Sequence, residues 1–196
     1  MKKKQKEKKT IIFLNKKGGV GKTVLSDELA FEFDRENIIY DFYDVDGQGG
    51  LIHETTKEEN EAAEYVIVDT PGQLNENTEE CIKMADIIIV PTRASFQEMQ
   101  PLTETLNLVR AAKKKSTPVI IVLNGWNRFT TYSQFEEWLN VEYPEYNKIV
   151  RLSQSEPLAQ ASSHGMSVID YSPRNAASVQ LKKLWTIVKY ELNIKL

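Results

Sequence analysis

The sequence has little cysteine, little histidine and no long apolar run. Cys81 is the single cysteine in 196 residues, so it cannot form an internal disulfide or by itself hold a zinc ion or an iron–sulfur cluster. His53 and His164 lack the spacing of a metal-binding pair and are interpreted as incidental polar residues. No apolar run approaches the roughly 20 residues of a membrane-spanning helix, and none follows the basic start as a signal peptide would. The sequence therefore predicts a cytoplasmic protein.

Positive charge is concentrated at the start of the chain. The formal net charge is −3, yet residues 2–9 (KKKQKEKK) contain six of the 25 basic residues and only one of the 28 acidic residues. A run of this kind usually stays disordered, and it either contacts nucleic acid or an anionic membrane surface or serves only as a solubilising tail. We therefore predict a basic disordered arm over residues 1–9. Residues 10–196 are predicted to form one domain, because two domains would each be small.

Short apolar runs rich in β-branched residues recur along the chain and predict strands. Segments with helical spacing lie between most of these runs, and Pro101 and Pro157 are each predicted to open a helix. This alternation predicts a doubly wound α/β fold, in which helices cover both faces of a mostly parallel sheet. The predicted strands are 10–15, 38–43, 65–69, 86–91, 118–123, 147–152 and 167–169. The periodic helical residues are Val24, Leu25, Leu29 and Phe33, then Leu102, Leu106 and Val109, and then Leu181, Leu184, Trp185 and Val188.

The segment GGVGKT, residues 18–23, is the strongest functional motif. It follows a predicted strand and precedes a predicted helix, which is the context of a phosphate-binding loop. Glycines let the backbone turn tightly and direct successive N–H groups inward, while the helix adds the positive end of its dipole. Lys22 is expected to contact the β- and γ-phosphates of a nucleotide, and Thr23 to offer its hydroxyl to Mg²⁺.

Two further predicted strands end in aspartates. The second is followed by DVDGQGG, residues 44–50, in which Asp44 and Asp46 lie on the same side of an extended chain. The third ends in YVIVDTPG, residues 65–72, and places Asp69 where a Mg²⁺-linked water needs an acceptor. For residues 44–50 a solvated acidic turn is the alternative, because three glycines favour a turn.

The sequence KGGVGKT, residues 17–23, resembles the deviant Walker A motif of the ParA/MinD superfamily of P-loop ATPases. Lysine occupies position 16, where a standard loop has glycine. In that family the early lysine, here Lys17, crosses a dimer interface to the phosphates of the partner subunit. The resemblance therefore implies a homodimer that forms on ATP binding. A cation delivered in this way is worth about 10³ to 10⁵ in rate in other phosphoryl-transfer proteins.

The resemblance also implies roles for the later motifs. Residues 44–50 resemble the switch I pattern of the family, with Gly47 in place of the usual proline, which implies that Asp46 orients or activates the attacking water. Asp69 matches the Walker B position, and Asn124 falls where relatives place an adenine-reading residue, although a strand-ending asparagine is also a common turn former. The GTPase signature N-K-x-D is absent from the segment NGWNR, residues 124–128, which favours ATP over GTP as the nucleotide. The implied catalytic residues are Lys17, Lys22 and Asp46, the implied metal-binding residues are Thr23, Asp69 and Asp44, and the implied nucleotide-binding residues are Lys17, Gly18, Gly19, Val20, Gly21, Lys22, Thr23, Val24 and Asn124.

The resemblance extends over most of the chain and favours a short, ParF-like partition ATPase, because Asn15 begins the spelling N-K-K-G-G. It implies ATP/ADP and Mg²⁺ as cofactors, ATP-dependent dimerisation and non-specific DNA binding. It also implies slow hydrolysis stimulated by a ParB-like centromere-binding partner on the bacterial nucleoid, without stable membrane association. Residues 49–65 are shorter than the corresponding family segment, which puts the partner surface in doubt.

Three alternatives remain. A MinD-like positioning ATPase would use the apolar stripe of the last helix on a membrane, although such a stripe is more often core. A small-molecule ligase or kinase of the dethiobiotin-synthetase type would need an acceptor pocket. A nucleotide-gated scaffold would bind ATP with little turnover. Basic side chains could bind DNA phosphates, although each of them could equally belong to a solvated helix face. The candidates are Arg110, Lys113, Lys114, Lys115, Lys182, Lys183 and Lys189.

Overall fold

The computed structural model describes residues 7–45, 51–72 and 76–194, along which strands and helices alternate. The strands are β1 (Lys9–Phe13), β2 (Tyr40–Asp44), β3 (Tyr65–Asp69), β4 (Ile87–Thr92), β5 (Val119–Trp126) and β6 (Ile149–Ser153). The helices are α1 (Lys22–Arg35), α2 (Glu76–Met84), α3 (Phe96–Ala112), α4 (Thr130–Glu142), α5 (Glu156–Ser163), α6 (Val168–Tyr171) and α7 (Ala176–Glu191).

The six strands form one sheet in the order β2-β3-β1-β4-β5-β6, and every neighbouring pair is parallel. β1 lies inside the sheet between β3 and β4, so the chain leaves its carboxyl end at the point where the strand order reverses. Ligands of open α/β sheets bind at such a point. The predicted doubly wound α/β fold is therefore confirmed, with a sheet that is parallel throughout the described residues.

Two apolar layers cover the sheet, one on each face. On β1, Ile11 and Phe13 face a layer formed mainly by α1 and α7, whereas Ile12 and Leu14 face a layer formed mainly by α3 and α4. All four side chains are fully buried. This explains why β1 has a continuous apolar sequence, since alternate residues of a strand point to opposite faces.

The apolar stripe of α7 belongs to the core. Leu181, Leu184, Trp185 and Val188 are at most 1% exposed, and they pack in the same layer as α1. The interpretation of this stripe as core packing is confirmed, so the described part of α7 has no apolar stripe left for a membrane surface. Among the helices of the described residues, none is long and apolar enough to span a bilayer.

The strand predicted at 167–169 is wrong, because α6 begins there. Ser167 is the N-cap of this helix, and its hydroxyl oxygen accepts a hydrogen bond from the Ile169 N–H at 3.1 Å. The carboxylate of Glu28 on α1 accepts from the Ser167 hydroxyl at 2.7 Å and from the Val168 N–H at 2.8 Å. Side chains therefore accept from the first N–H groups of the helix. In a strand, those N–H groups would instead have bonded to a neighbouring strand.

The two prolines differ in outcome. Pro157 lies in the first turn of α5 behind the N-cap Ser155, as predicted. Pro101 does not open a helix, because α3 begins earlier at Phe96 with Ser95 as its N-cap. Inside the helix Pro101 has no N–H to donate to the carbonyl four residues earlier, while its own carbonyl accepts from the Thr105 hydroxyl at 2.8 Å.

The folded domain begins earlier than residue 10. β1 starts at Lys9, and the Lys8 ammonium pairs with Asp41 at 2.7 Å and with Glu59 at 2.9 Å. Lys8 and Lys9 therefore belong to the domain rather than to the predicted arm over residues 1–9. Residues 1–6 lie outside the described residues.

Candidate nucleotide-binding site

The glycine loop connects β1 to α1 and is held in place by Asn124 of β5. The Asn124 side-chain Nδ2 donates to the Val20 carbonyl at 2.9 Å. Gly21 adopts φ = +102°, in the left-handed region, and a Cβ at this position would lie 2.3 Å from Nδ2 of Asn124. Glycine is therefore required at position 21 both by the backbone conformation and by the close approach of Asn124.

The amino end of α1 is arranged to receive an anion. Gly21 is its N-cap, no described side chain caps the helix, and the first turn contains no acidic residue. The first N–H groups and the positive end of the helix dipole are thus available to phosphate oxygens. Lys22, the first residue of α1, is 6% exposed, and its ammonium lies 3.4 Å from the Lys17 carbonyl. This places a cation inside the curve of the loop.

Oxygen-bearing side chains meet beside this cation. The Thr23 hydroxyl donates to Oδ2 of Asp69 at 2.6 Å, and Asp69 is 1% exposed. Asp44 and Asp69 are register partners on the neighbouring parallel strands β2 and β3, so they share one edge of the sheet. Hydroxyl and carboxylate oxygens are the ligands that Mg²⁺ prefers, and this donor set fits that ion. Asp46, the predicted water-positioning residue, lies outside the described residues.

The segment after β3 packs against the loop. The Thr70 hydroxyl donates to the Phe13 carbonyl at 2.6 Å. At Gly72, a Cβ would lie 3.4 Å from the Gly18 nitrogen and 3.5 Å from the Lys16 carbonyl oxygen. The chain after Asp69 therefore contacts the backbone of the glycine loop directly.

The three lysines of the loop have different environments. The Lys16 ammonium forms an ion pair with Glu104 of α3, whereas the Lys22 ammonium lies inside the loop. Lys17 is exposed, and across residues 7–45, 51–72 and 76–194 its ammonium makes no hydrogen bond or ion pair. It lines an open cleft of about 320 Å³ between the loop and α3, together with Lys16, Gln97, Gln100, Pro101 and Glu104.

Two residues that sequence reasoning did not assign to the site hold the start of the loop. Asn15 is fully buried, and its Oδ1 accepts from the Lys17 N–H at 2.9 Å. Thr105 of α3 is also fully buried, and its Oγ1 accepts from the Lys16 N–H at 3.1 Å. A polar residue directly after the apolar run of β1 is a sequence signal for Asn15. Thr105 lies 89 residues from its partner and gives no local signal.

A second cleft, of about 480 Å³, opens beside the loop. Val24 of α1 and Asn124 of β5 line it, so two of the predicted nucleotide-binding residues share this space. Its wall also contains Arg93, Tyr132, Ser155 and Leu158. Because Nδ2 of Asn124 is bonded to Val20, the remaining polar atom of this amide is Oδ1, a hydrogen-bond acceptor.

The candidate DNA-binding cations are not equally available. Lys189 is 6% exposed and pairs with Glu32 at 3.0 Å and with Glu36, so its side chain belongs to the interior. The Arg110 guanidinium pairs with Glu145 and lies over the ring of Tyr143. The Lys113 ammonium donates to backbone carbonyls of the α3–β5 connection. The remaining candidates, Lys114, Lys115, Lys182 and Lys183, are exposed.

Comparison with known proteins identifies both a family and a set of similar structures. A family model described as the CobQ/CobB/MinD/ParA nucleotide binding domain matches residues 11–168. None of the curated protein sequences compared with this chain matches it.

The similar solved structures share the fold at low sequence identity. A substituted McdA from Cyanothece in complex with ATP is 18% identical, with a TM-score of 0.77 over 97% of this chain and 98% of that chain. A ParA family ATPase from Chlorobium tepidum is 16% identical, with a TM-score of 0.67 over 92% and 99% of the two chains. The cell division ATPase MinD from Pyrococcus furiosus is 12% identical, with a TM-score of 0.67 over 93% and 98%.

Proposed function

This chain belongs to the CobQ/CobB/MinD/ParA nucleotide-binding domain family, and from this premise we propose that it is a Mg²⁺-dependent ATPase of the short partition type. The chain acts as one ATPase domain that closes into a homodimer on ATP and then binds DNA without strong sequence preference. One observation carries the proposal. Of the three lysines of the loop, Lys22 lies inside it, Lys16 is paired with Glu104, and Lys17 is exposed, with no hydrogen bond or ion pair from its ammonium to any described residue.

ATP binding uses the loop, the start of α1 and the cleft beside Asn124. Backbone N–H groups of residues 18–23 and the Lys22 ammonium bind the phosphates. The base enters the cleft lined by Val24 and Asn124. Oδ1 of Asn124 can accept a hydrogen bond from the amino group of adenine.

Hydrolysis takes place where β2, β3 and α1 meet. Thr23, Asp69 and Asp44 would hold Mg²⁺, which would neutralise charge on the phosphate oxygens. Asp46 follows β2 by two residues and orients a water, whose oxygen attacks the γ-phosphorus while the bond to ADP breaks. Slow turnover by these groups would be accelerated by a ParB-like centromere-binding partner.

Lys17 completes the site of the other subunit. Its side chain is exposed beside α3, so a second copy that approaches this face can receive the ammonium on its own nucleotide. A cation supplied in trans stabilises charge on the transferred phosphoryl group by an amount worth about 10³ to 10⁵ in rate. Dimerisation then depends on the triphosphate, because ADP leaves the ammonium without the γ-phosphate.

DNA binding by the dimer uses exposed lysines rather than a sequence-reading domain. The exposed candidates are Lys114 and Lys115 after α3, and Lys182 and Lys183 on α7. Phosphate neutralisation by such side chains is independent of sequence and falls steeply with salt. This would place the ATP-bound dimer on the bacterial nucleoid.

The decisive experiment measures oligomeric state. Wild type, Lys17→Ala and the control Lys16→Ala are sized by sedimentation with ADP and with a non-hydrolysable ATP analogue. Wild type and Lys16→Ala should dimerise with the analogue only, while Lys17→Ala should bind the analogue with similar affinity and stay monomeric. A Lys17→Ala dimer as stable as wild type contradicts the proposal.

The same preparations separate the alternative functions. With the analogue bound, the proposal requires binding to duplex DNA that weakens between 50 and 200 mM salt. Nucleotide-dependent binding to anionic vesicles instead of DNA would favour the MinD-like function. Turnover that requires a small acceptor and ignores DNA would favour the ligase or kinase function.

A further inference from the structure

Two buried polar side chains hold consecutive backbone amides directly before the glycines of the loop. Asn15 Oδ1 accepts from the Lys17 N–H at 2.9 Å, and its Nδ2 donates to the Pro91 carbonyl at 2.8 Å. Thr105 Oγ1 accepts from the Lys16 N–H at 3.1 Å. Both side chains are fully buried. The entry to the loop is thereby fastened to the end of β4 and to α3.

This network matters because it holds the backbone on the amide side of Lys17, whose carbonyl accepts from the Lys22 ammonium at 3.4 Å. The Lys17 ammonium has no partner among the described residues, so its position is set by its own backbone and its free rotamers. The residues that follow, Gly18 and Gly19, have no side chains to restrict the loop. The Asn15 bond holds the Lys17 amide itself, and the Thr105 bond holds the amide one residue before it. Together they define the direction in which the Lys17 side chain leaves the loop.

The Thr105 hydroxyl is both a donor and an acceptor. It donates to the Pro101 carbonyl at 2.8 Å, with Asn15 Oδ1 a more distant acceptor at 3.4 Å, and it accepts from the Lys16 N–H. Removal of the oxygen would leave the Lys16 N–H, in a part-buried position, without this acceptor. The loss of one such hydrogen bond costs about 0.5 to 1.5 kcal/mol and releases the backbone at Lys16.

We propose that Asn15 and Thr105 are positioning residues for Lys17, which orient its backbone so that its ammonium reaches the nucleotide of a second copy of this chain. This inference rests on the proposed function, since it gives Lys17 a role in trans. It adds that α3 takes part in that role from the protein interior, through a hydroxyl that touches neither nucleotide nor partner.

The test compares Thr105→Val, which keeps the shape but removes the oxygen, with Thr105→Ser, which keeps the hydroxyl. Thr103→Val on the same helix is the control. With the non-hydrolysable analogue, Thr105→Val should weaken the dimer about five- to tenfold, the equivalent of one lost hydrogen bond. Nucleotide affinity of the monomer should change less than about twofold. Thr105→Ser and Thr103→Val should behave as wild type. If Thr105→Val does not fold, the smaller Thr105→Ala takes its place.

A double-mutant cycle with Lys17→Ala distinguishes positioning from a general effect on stability. At saturating ATP, Thr105→Val should lower kcat in the wild-type background and not in the Lys17→Ala background. Equal factors in both backgrounds overturn the inference, as does a Thr105→Val dimer of wild-type affinity. A Lys17→Ala dimer of wild-type affinity would instead overturn the proposed function, so the two failures are distinguishable.

Discussion

Gly21→Ala should destabilise the domain through two separate effects. The first is backbone strain, because φ = +102° is unfavourable for a residue with a Cβ and costs about 1 to 2 kcal/mol. The second is displacement of Asn124, whose Nδ2 would lie 2.3 Å from the new Cβ. The amide must move, and its hydrogen bond to the Val20 carbonyl is lost at about 1 kcal/mol. The expected loss of unfolding free energy is therefore about 2 to 3 kcal/mol.

Denaturant unfolding in two backgrounds separates the two effects. In an Asn124→Ala background the close contact and the hydrogen bond are already absent, so Gly21→Ala should cost only the strain of about 1 to 2 kcal/mol. The coupling between the two positions should be about 1 kcal/mol. Gly165→Ala is the matched control, because Gly165 also has a positive φ of 65° but no atom within 4 Å of a built Cβ.

Gly165→Ala should lower the free energy of unfolding by the same amount in the wild-type and Asn124→Ala backgrounds. If Gly21→Ala also costs the same in both, Asn124 does not hold the loop and the reasoning is refuted. The same variants can be titrated with ATP. Both Gly21→Ala and Asn124→Ala should weaken nucleotide binding, since each removes the contact that fixes the Val20 carbonyl.

Two further predictions concern buried charges near α1. Burial lowers the pKa of His53, but the hydrogen bond and charge of Asp27 at 2.8 Å, with Asp34, outweigh it and raise the pKa above 6.5. The stabilisation from charged His53 is fully present below pH 6.5 and is lost as the pH rises through the raised pKa of the folded state. In urea unfolding, His53→Gln should therefore lower the free energy of unfolding more at pH 6 than at pH 8.5. A difference between variant and wild type that does not change with pH contradicts this. Lys189→Ala should lower the free energy of unfolding by about 1.5 to 3 kcal/mol, because Glu32 loses one charged partner and keeps Arg35, whereas Lys183→Ala at an exposed position should lower it by less than about 0.5 kcal/mol.

Elements whose pattern is local were predictable from the sequence. The apolar run of β1 and the glycine loop needed only neighbouring residues, and both lie where they were expected. The start of α3 is also marked in the sequence, because Ser95 and Glu98 have the spacing of a capping box. The prediction that Pro101 opens a helix is wrong because a proline inside a helix is tolerated where other groups satisfy the neighbouring carbonyls.

Features that depend on distant partners were not predictable. The run at 167–169 is too short for periodicity to separate strand from helix, and Glu28, 139 residues from Ser167, decides it. The bond from Thr105 to Lys16 spans 89 residues in the same way. The sequence therefore predicted residues that would contact nucleotide and Mg²⁺, whereas the residues that hold them in place could be identified only from the fold.

Asn124 joins the two halves of the nucleotide site through one amide group. Its Nδ2 donates to the Val20 carbonyl, and the other side of the group faces the cleft that also contains Val24. Turning the amide over would put Oδ1 against the Val20 carbonyl, where two acceptors repel, so the loop fixes which atom is left for the base. A base that presents a donor, as adenine does, leaves this arrangement intact. A base that competes for the N–H donated to Val20 would break the bond that holds the phosphate loop, and base binding is thereby tied to the conformation of the loop.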